Sequence, residues 1–96
     1  MLPHFEWDPK KNRLNQRLHG VSLEEASTAF YDENGRIIPD PEHSNGEDRY
    51  ILLGVSAKLR ILIVCHCYRK SDSVIRIISA WRATPSERAQ YERFLP

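Results

Sequence analysis

Arg76 is the one charged residue in the run Val74-Ile75-Arg76-Ile77-Ile78, whose β-branched composition suits a strand flanked by other strands. A guanidinium in such a strand needs a partner, because burying it unpaired is costly. It belongs to a basic half of the chain. Between residues 58 and 82 stand Lys58, Arg60, Arg69, Lys70, Arg76 and Arg82 against Asp72 alone, whereas residues 24–48 carry eight acids against Arg36 alone. The net charge of +1 hides this division. A basic segment of this kind suits phosphate or an acidic partner, and it equally suits a solvated set of strand edges and hairpin turns. His19 falls in the last turn of an expected helix, where the helix dipole favours a protonated imidazole, so capping and chemistry are both open to it. Cys65 and Cys67 are two apart and share a strand face, poorly placed for an internal bridge, and read as small buried apolar residues. His66 points the other way, and no second Cys/His pair has ligand spacing, so no metal site or cofactor is expected.

The elements that must position these residues follow from local signals. At 96 residues one domain is expected, modestly stable alone, for which a partner chain would matter. No stretch approaches the ~20 apolar residues of a membrane helix, and Met1–Trp7 lacks a signal-peptide pattern, so a soluble, cytoplasmic protein is expected. Phe5–Trp7 suits an edge strand or a segment under a helix. Asp8-Pro9 starts a helix that Gly20 ends, resting on the core by a narrow stripe of Leu14 and Leu18 and showing a basic surface. Ser22 and Glu25 form a capping box for a second helix, whose Leu23, Ala26, Ala29 and Phe30 make a core face and which stops before Asn34-Gly35.

A short strand, Arg36–Ile38, ends at Pro39. The acidic segment 40–47 has loop composition, and His43 within it reads as a solvated loop residue. Strands are expected over 49–55, 59–68 and 74–81, joined by short polar turns as an antiparallel meander. Thr84-Pro85 with Glu87 then starts a C-terminal helix to Phe94. Both alternating sets of the later strands are apolar, so both sheet faces must be partly covered. The expected fold is α+β: two N-terminal helices packed on a small antiparallel sheet, a three-strand meander plus a short edge strand, then a C-terminal helix.

These residues resemble the BrnT toxins of bacterial type II toxin–antitoxin systems over nearly the whole chain. The resemblance is carried by Phe5-Glu6-Trp7-Asp8-Pro9 with Lys11, Asn15 and His19-Gly20-Val21-Ser22; by Glu24-Glu25-Ala26 and Phe30; by Asp40, His43-Ser44, Glu47 and Arg49; by Gly54, Ser56 and Arg60; and by Ile75-Arg76-Ile77-Ile78-Ser79-Ala80, Ala83-Thr84, Glu87-Arg88 and Tyr91. The chain departs from the family pattern at Leu18, where a lysine is usual, at Leu59, where a glycine is usual, and at Trp81, where an arginine is usual.

The resemblance implies a RelE/ParE-like fold, RNA cleavage that stops translation, and a BrnA-like antitoxin that neutralises the toxin and makes the DNA contacts of the complex. Metal-free RNA cleavage uses the 2′-hydroxyl as nucleophile, so the protein must move protons and stabilise charge on the phosphoryl oxygens. Arg76, Arg82 and Arg49 are expected on the phosphate because arginine stays charged and forks onto it. For the proton carrier the candidates are His19, which recurs in the family motif, and His66, which sits on the central strand outside it; Lys11, Arg60 and Tyr91 are expected to bind substrate. The rival reading is a binding module without chemistry, whose basic sheet docks an acidic antitoxin or blocks a cellular target.

Overall fold

A computed structural model describes residues 3–44 and 46–96; Met1 and Leu2 of the segment read for targeting, and Asn45 of the acidic loop, lie outside the described residues. The elements are β1 (His4–Glu6), α1 (Pro9–His19), α2 (Leu23–Thr28) continued by a 3-10 turn (Ala29–Tyr31), β2 (Arg36–Pro39), a second 3-10 turn (Pro41–His43), β3 (Tyr50–Val55), β4 (Ile61–Arg69), β5 (Val74–Arg82) and α3 (Pro85–Arg93). The helix signals in the sequence act as expected. Asp8 accepts the Lys10 N–H and Gly20 ends α1 at φ 67 in the left-handed region that favours glycine. Thr84 and Glu87 form a complete capping box on α3. Ser22 makes only half of one: it accepts the Glu25 N–H, but the Glu25 carboxylate turns away to Arg60 and Ser56.

The sheet differs from the expected one. It has five strands in the order β1-β5-β4-β3-β2 and is mixed, not antiparallel, because β1 runs parallel to β5 with Phe5 beside Ile75 and Glu6 beside Arg76. Three residues suffice for β1 because Phe5 and Trp7 pack on the core cluster on either side of Glu6. The meander β3-β4-β5 and the β2 edge are antiparallel as expected. A register shift at Cys65/His66 pairs Cys65 with Ser79 and His66 with Ile77, leaving Ile78 as the extra residue of a bulge.

Alternation sorts the sheet into two faces. Leu52, Leu62, Val64, Ile75, Ile77 and Ala80 meet Val21, Leu23, Ala26 and Ala29 to make the core under the two N-terminal helices. Gly54 lets the 3-10 turn settle on β3, since a Cβ there would lie 3.0 Å from the Ala29 carbonyl. The opposite, open face carries Ile51, Leu53, Ile63, Cys65, Cys67 and Arg76, and α3 lies over part of it beside Ile51, Leu53 and Ile63.

The stripe expected of α1 is overturned. Leu14 and Leu18 are 47% and 64% exposed, while Asn12 and Asn15 are buried. The reason is the outer edge of β5, which β1 covers only at residues 74–76. Asn15 pairs with that edge as a strand would: its Nδ2 donates to the Ala80 carbonyl (2.8 Å) and its Oδ1 accepts the Ala80 N–H (3.0 Å). The same Nδ2 also donates to the Val21 carbonyl at 2.7 Å. Asn12 accepts the Leu23 N–H (2.9 Å) and donates to Glu24 (2.7 Å), fixing the start of α2. Buried backbone groups left without partners cost about 1–3 kcal/mol each. Asn15→Ala is therefore expected to lower the unfolding free energy by about 3 kcal/mol, against less than about 0.5 kcal/mol for Leu14→Ala. Urea titration of both variants checks this, and the reverse order would place α1 on its leucines.

Candidate functional site on the open face of the sheet

Strand geometry divides the arginines proposed for phosphate. Arg76 and Arg82 are six residues apart on β5, about 20 Å at ~3.3 Å per residue, so they cannot share one phosphate. Arg76 and Arg49 can. Continuing the β3–β4 register by one residue sets Arg49 opposite Cys67, and Cys67 pairs with Arg76. Two strand spacings of ~4.8 Å put the two arginine Cα atoms roughly 10 Å apart on one face.

Their states differ. Arg76 donates from Nη1 to Glu6 at 3.0 Å, a half-exposed pair across the β1–β5 ladder. This is the partner that a strand arginine requires. Arg49 has a buried Nε with no hydrogen-bond partner among the described residues. A buried guanidinium nitrogen without a partner is uncommon, because the missing bond is costly.

The loop beside Arg49 supplies a group that sequence reasoning set aside. His43 Nδ1 lies 2.7 Å from Asp40 Oδ2. The imidazole side chain is 63% exposed and the carboxylate 10%. When Nδ1 donates to Asp40, Nε2 is left as the acceptor and is free to take a proton. Asp40 is itself built in: its N–H donates to the Arg49 carbonyl (2.8 Å), and its carbonyl accepts the Ser44 hydroxyl (2.8 Å), which in turn accepts the Arg49 N–H (2.9 Å). The i, i+3 spacing Asp40…His43 behind Pro41 was the available signal, since a single 3-10 turn brings those side chains together. Cys65 and Cys67 line the floor, and burial pushes both thiols up, which keeps them protonated and unreactive.

The remaining candidates stand elsewhere. Arg60 donates from Nε (2.9 Å) and Nη2 to buried Glu25 and from Nη2 to the Gly20 carbonyl (3.0 Å), and Ser56 adds a bond to Glu25 (2.7 Å). The Arg60 hydrogen bonds hold the Glu25 carboxyl below its usual range against the opposing effect of burial. Tyr91 donates to Asp32 at 2.6 Å, and Asp32 also accepts the Val55 and Asn34 N–H groups. Burial, then the Asp32 hydrogen bond, pushes the Tyr91 phenol up to about 12. Tyr91 thus ties α3 to the body of the fold. His19 and Lys11 line a shallow recess of ≈ 210 Å³ with the exposed Leu14 and Leu18, and the His19 ring lies 6.3 Å from Trp81. Arg82 is exposed at the same end of β5. The structure therefore forms two groups: His43, Asp40, Arg49 and Arg76 at one end of the open face, and Lys11, His19, Trp81 and Arg82 near the far end of β5.

His66, on the helix side, is fully buried at 0% exposure, with Nδ1 donating to the Val64 carbonyl (3.0 Å), Nε2 facing the Tyr68 hydroxyl (3.2 Å) and Phe30 against its ring. Burial lowers its pKa. Below the ordinary histidine value of about 6.5, the unfolded chain takes up a proton that the folded chain refuses, so stability falls as pH drops from there toward the folded value. Glu25 and Asp32, whose pKa values are lowered in the fold, add a second loss below about pH 4.5. The melting temperature should decline from pH 7 to pH 5, and His66→Phe should flatten that segment. An unchanged slope in the variant would remove His66 as its cause.

Similarity to known proteins bears on the same residues. The family described as "Ribonuclease toxin, BrnT, of type II toxin-antitoxin system" matches the chain over residues 7–87, a span that includes Asp40, His43, Arg49 and Arg76. Among solved structures, the crystal structure of the Brucella abortus ribonuclease toxin, BrnT, is 19% identical with a TM-score of 0.66, covering 86% of this chain and 99% of that one. At that identity the likeness concerns the fold. No curated protein sequence matches.

Proposed function

Since the chain belongs to the BrnT family of ribonuclease toxins of type II toxin–antitoxin systems, we propose that it is a metal-independent endoribonuclease that stops translation. In this reading it acts in the cytoplasm, is neutralised by a BrnA-like antitoxin and touches DNA only through that antitoxin. In the same reading, its five-stranded sheet under two helices is a variant of the RelE/ParE-like toxin fold. The observation that carries the proposal is the His43–Asp40 pair, joined through the Asp40 backbone to Arg49, whose buried Nε has no partner among the described residues.

In the proposed reaction, Arg49 and Arg76 hold the scissile phosphate. His43 Nε2 takes the 2′-hydroxyl proton while the 2′-oxygen attacks phosphorus. The 5′-oxygen leaves and takes a proton from solvent, giving a 2′,3′-cyclic phosphate and a 5′-hydroxyl. Asp40 keeps the imidazole in the required tautomer and orientation. As negative charge grows on the phosphoryl oxygens, two guanidiniums on a half-covered face stabilise it more than water does. Lys11, His19 and Arg82, with Trp81, form a second basic surface for the flanking strand, where charge and an aromatic plane suffice without sequence reading. Arg60 and Tyr91 act here through the fold, by holding Glu25 and Asp32.

Induced expression alone, then with the neighbouring small open reading frame, tests the toxin and its antitoxin. Arrest relieved by the neighbour is expected; soluble protein without arrest would favour a binding module. His43→Ala and Arg49→Ala should each lower RNA cleavage by about 10²-fold or more with the fold intact. Arg60→Ala should instead cost about 3 kcal/mol of stability by leaving Glu25 buried and unpaired. Full cleavage by His43→Ala would transfer the proton role to another residue.

A further inference from the structure

The open face holds one more feature beside the proposed centre. Between α3 and the sheet is a recess of ≈ 250 Å³ with a floor of Ile38, Ile51, Leu53 and Ile63 and a rim of Arg36, Glu87, Gln90 and Phe94. Its size lies just below the ~300–1,000 Å³ of sites that bury drug-sized molecules, and suits a single flat ring system. The rim offers both kinds of hydrogen bond. Gln90 supplies an amide donor and acceptor and makes no side-chain hydrogen bond among the described residues. Glu87 Oε1 accepts the Thr84 N–H, and its other oxygen has no partner among the described residues. The Arg36 guanidinium lies over the Phe94 ring at 3.5 Å, so a planar cation and an aromatic plane already stack at the mouth.

We propose that this recess is a nucleobase subsite. Resting on the ribonuclease reading, it would take the base next to the cleaved phosphate and favour bases with an exocyclic amine over uracil. Position supports this. Ile38 on the floor and Asp40 of the dyad are two residues apart on one face, about 7 Å. Ile51 on the floor pairs with Cys65, whose thiol lies in the field of Arg49 and Asp40. A nucleotide with its phosphate at Arg49 therefore has its base within reach of the recess. Chemistry supports it too. Unpaired bases are recognised by stacking on aromatic or guanidinium planes and by hydrogen bonds to their edges. A carboxylate accepts from the exocyclic amine of adenine, cytosine or guanine; uracil has no such amine and offers only its N3–H, flanked by O2 and O4, whose lone pairs repel the carboxylate.

The test is amide-resolved NMR of the ¹⁵N-labelled full chain titrated with 2′-O-methyl dinucleotides, which bind without being cut. The Gln90 side-chain amide and the backbone amides of Ile38, Ile51 and Phe94 should shift, more with adenine, cytosine or guanine than with uracil. Gln90→Ala and Phe94→Ala should weaken that binding at least fivefold. Glu87→Gln, which keeps the helix cap, should erase the preference for amino bases. Shifts that avoid the recess, or that are equal for all four bases, would overturn the proposal. Cleavage of a standard RNA by the same sample is read separately. Cutting without shifts in the recess keeps the ribonuclease and loses the subsite; base-selective shifts without cutting keep the subsite and lose the ribonuclease.

Discussion

The carboxamide of Asn15 is the constraint on which the arrangement depends. One side chain closes the exposed stretch of the β5 edge at Ala80 and reaches the Val21 carbonyl, so it fixes α1, the turn into α2 and the long central strand to one another. An uncovered strand edge invites pairing with other chains, and here a helix covers it by imitating a strand's own hydrogen bonds. The consequence for α1 is an inverted amphipathicity. Its asparagines face inward and its leucines face solvent beside Lys11 and His19. With β5 held from that side, the cross-strand row Arg49–Cys67–Arg76 is presented on the opposite face of a rigid sheet.

The charged groups divide by what holds them. Glu25 with Arg60 and Ser56, and the partly buried Asp32 with Tyr91 and two backbone N–H groups, are closed networks in which each carboxylate has several donors. Removing one member leaves a buried charge, which is why such pairs act on folding. On the open face the polar groups are only partly engaged. Arg76 is shared with a half-exposed Glu6, Arg49 retains a nitrogen unpartnered among the described residues, and the exposed His43 uses one ring nitrogen on Asp40 and keeps the other. Groups oriented by their neighbours but not saturated by them are what binding a phosphate and moving a proton both require.

Much of the fold was legible because it rests on local signals. Asp8-Pro9, Gly20, Thr84 with Glu87, and the alternating strands each name their own element. What was not legible depends on distant contacts. The parallel pairing of β1 could not be read from His4–Glu6, since three residues carry no pairing direction until β5 is beside them. The burial of Asn15 in place of Leu14 needs the free edge at Ala80, 65 residues away. For the site, Arg76 announced itself as a charge in an apolar strand. The distance between Arg76 and Arg82 was also implicit in strand geometry, and it separates residues that charge alone had grouped. His43 looked like a loop residue because composition cannot reveal that Pro41 starts a 3-10 turn aiming it at Asp40. Leu59 occupies the hairpin turn at φ 62, a left-handed position that favours glycine and that nothing in the local sequence announces.

The central claim is that the open face performs transesterification with side chains alone. Its most direct test is end-group analysis of RNA cut by the purified protein in excess chelator. The account predicts fragments ending in 2′,3′-cyclic phosphate and beginning with 5′-hydroxyl, formed at an undiminished rate without divalent ions. Cleavage that requires a divalent ion, or that leaves 3′-hydroxyl and 5′-phosphate ends, would contradict it.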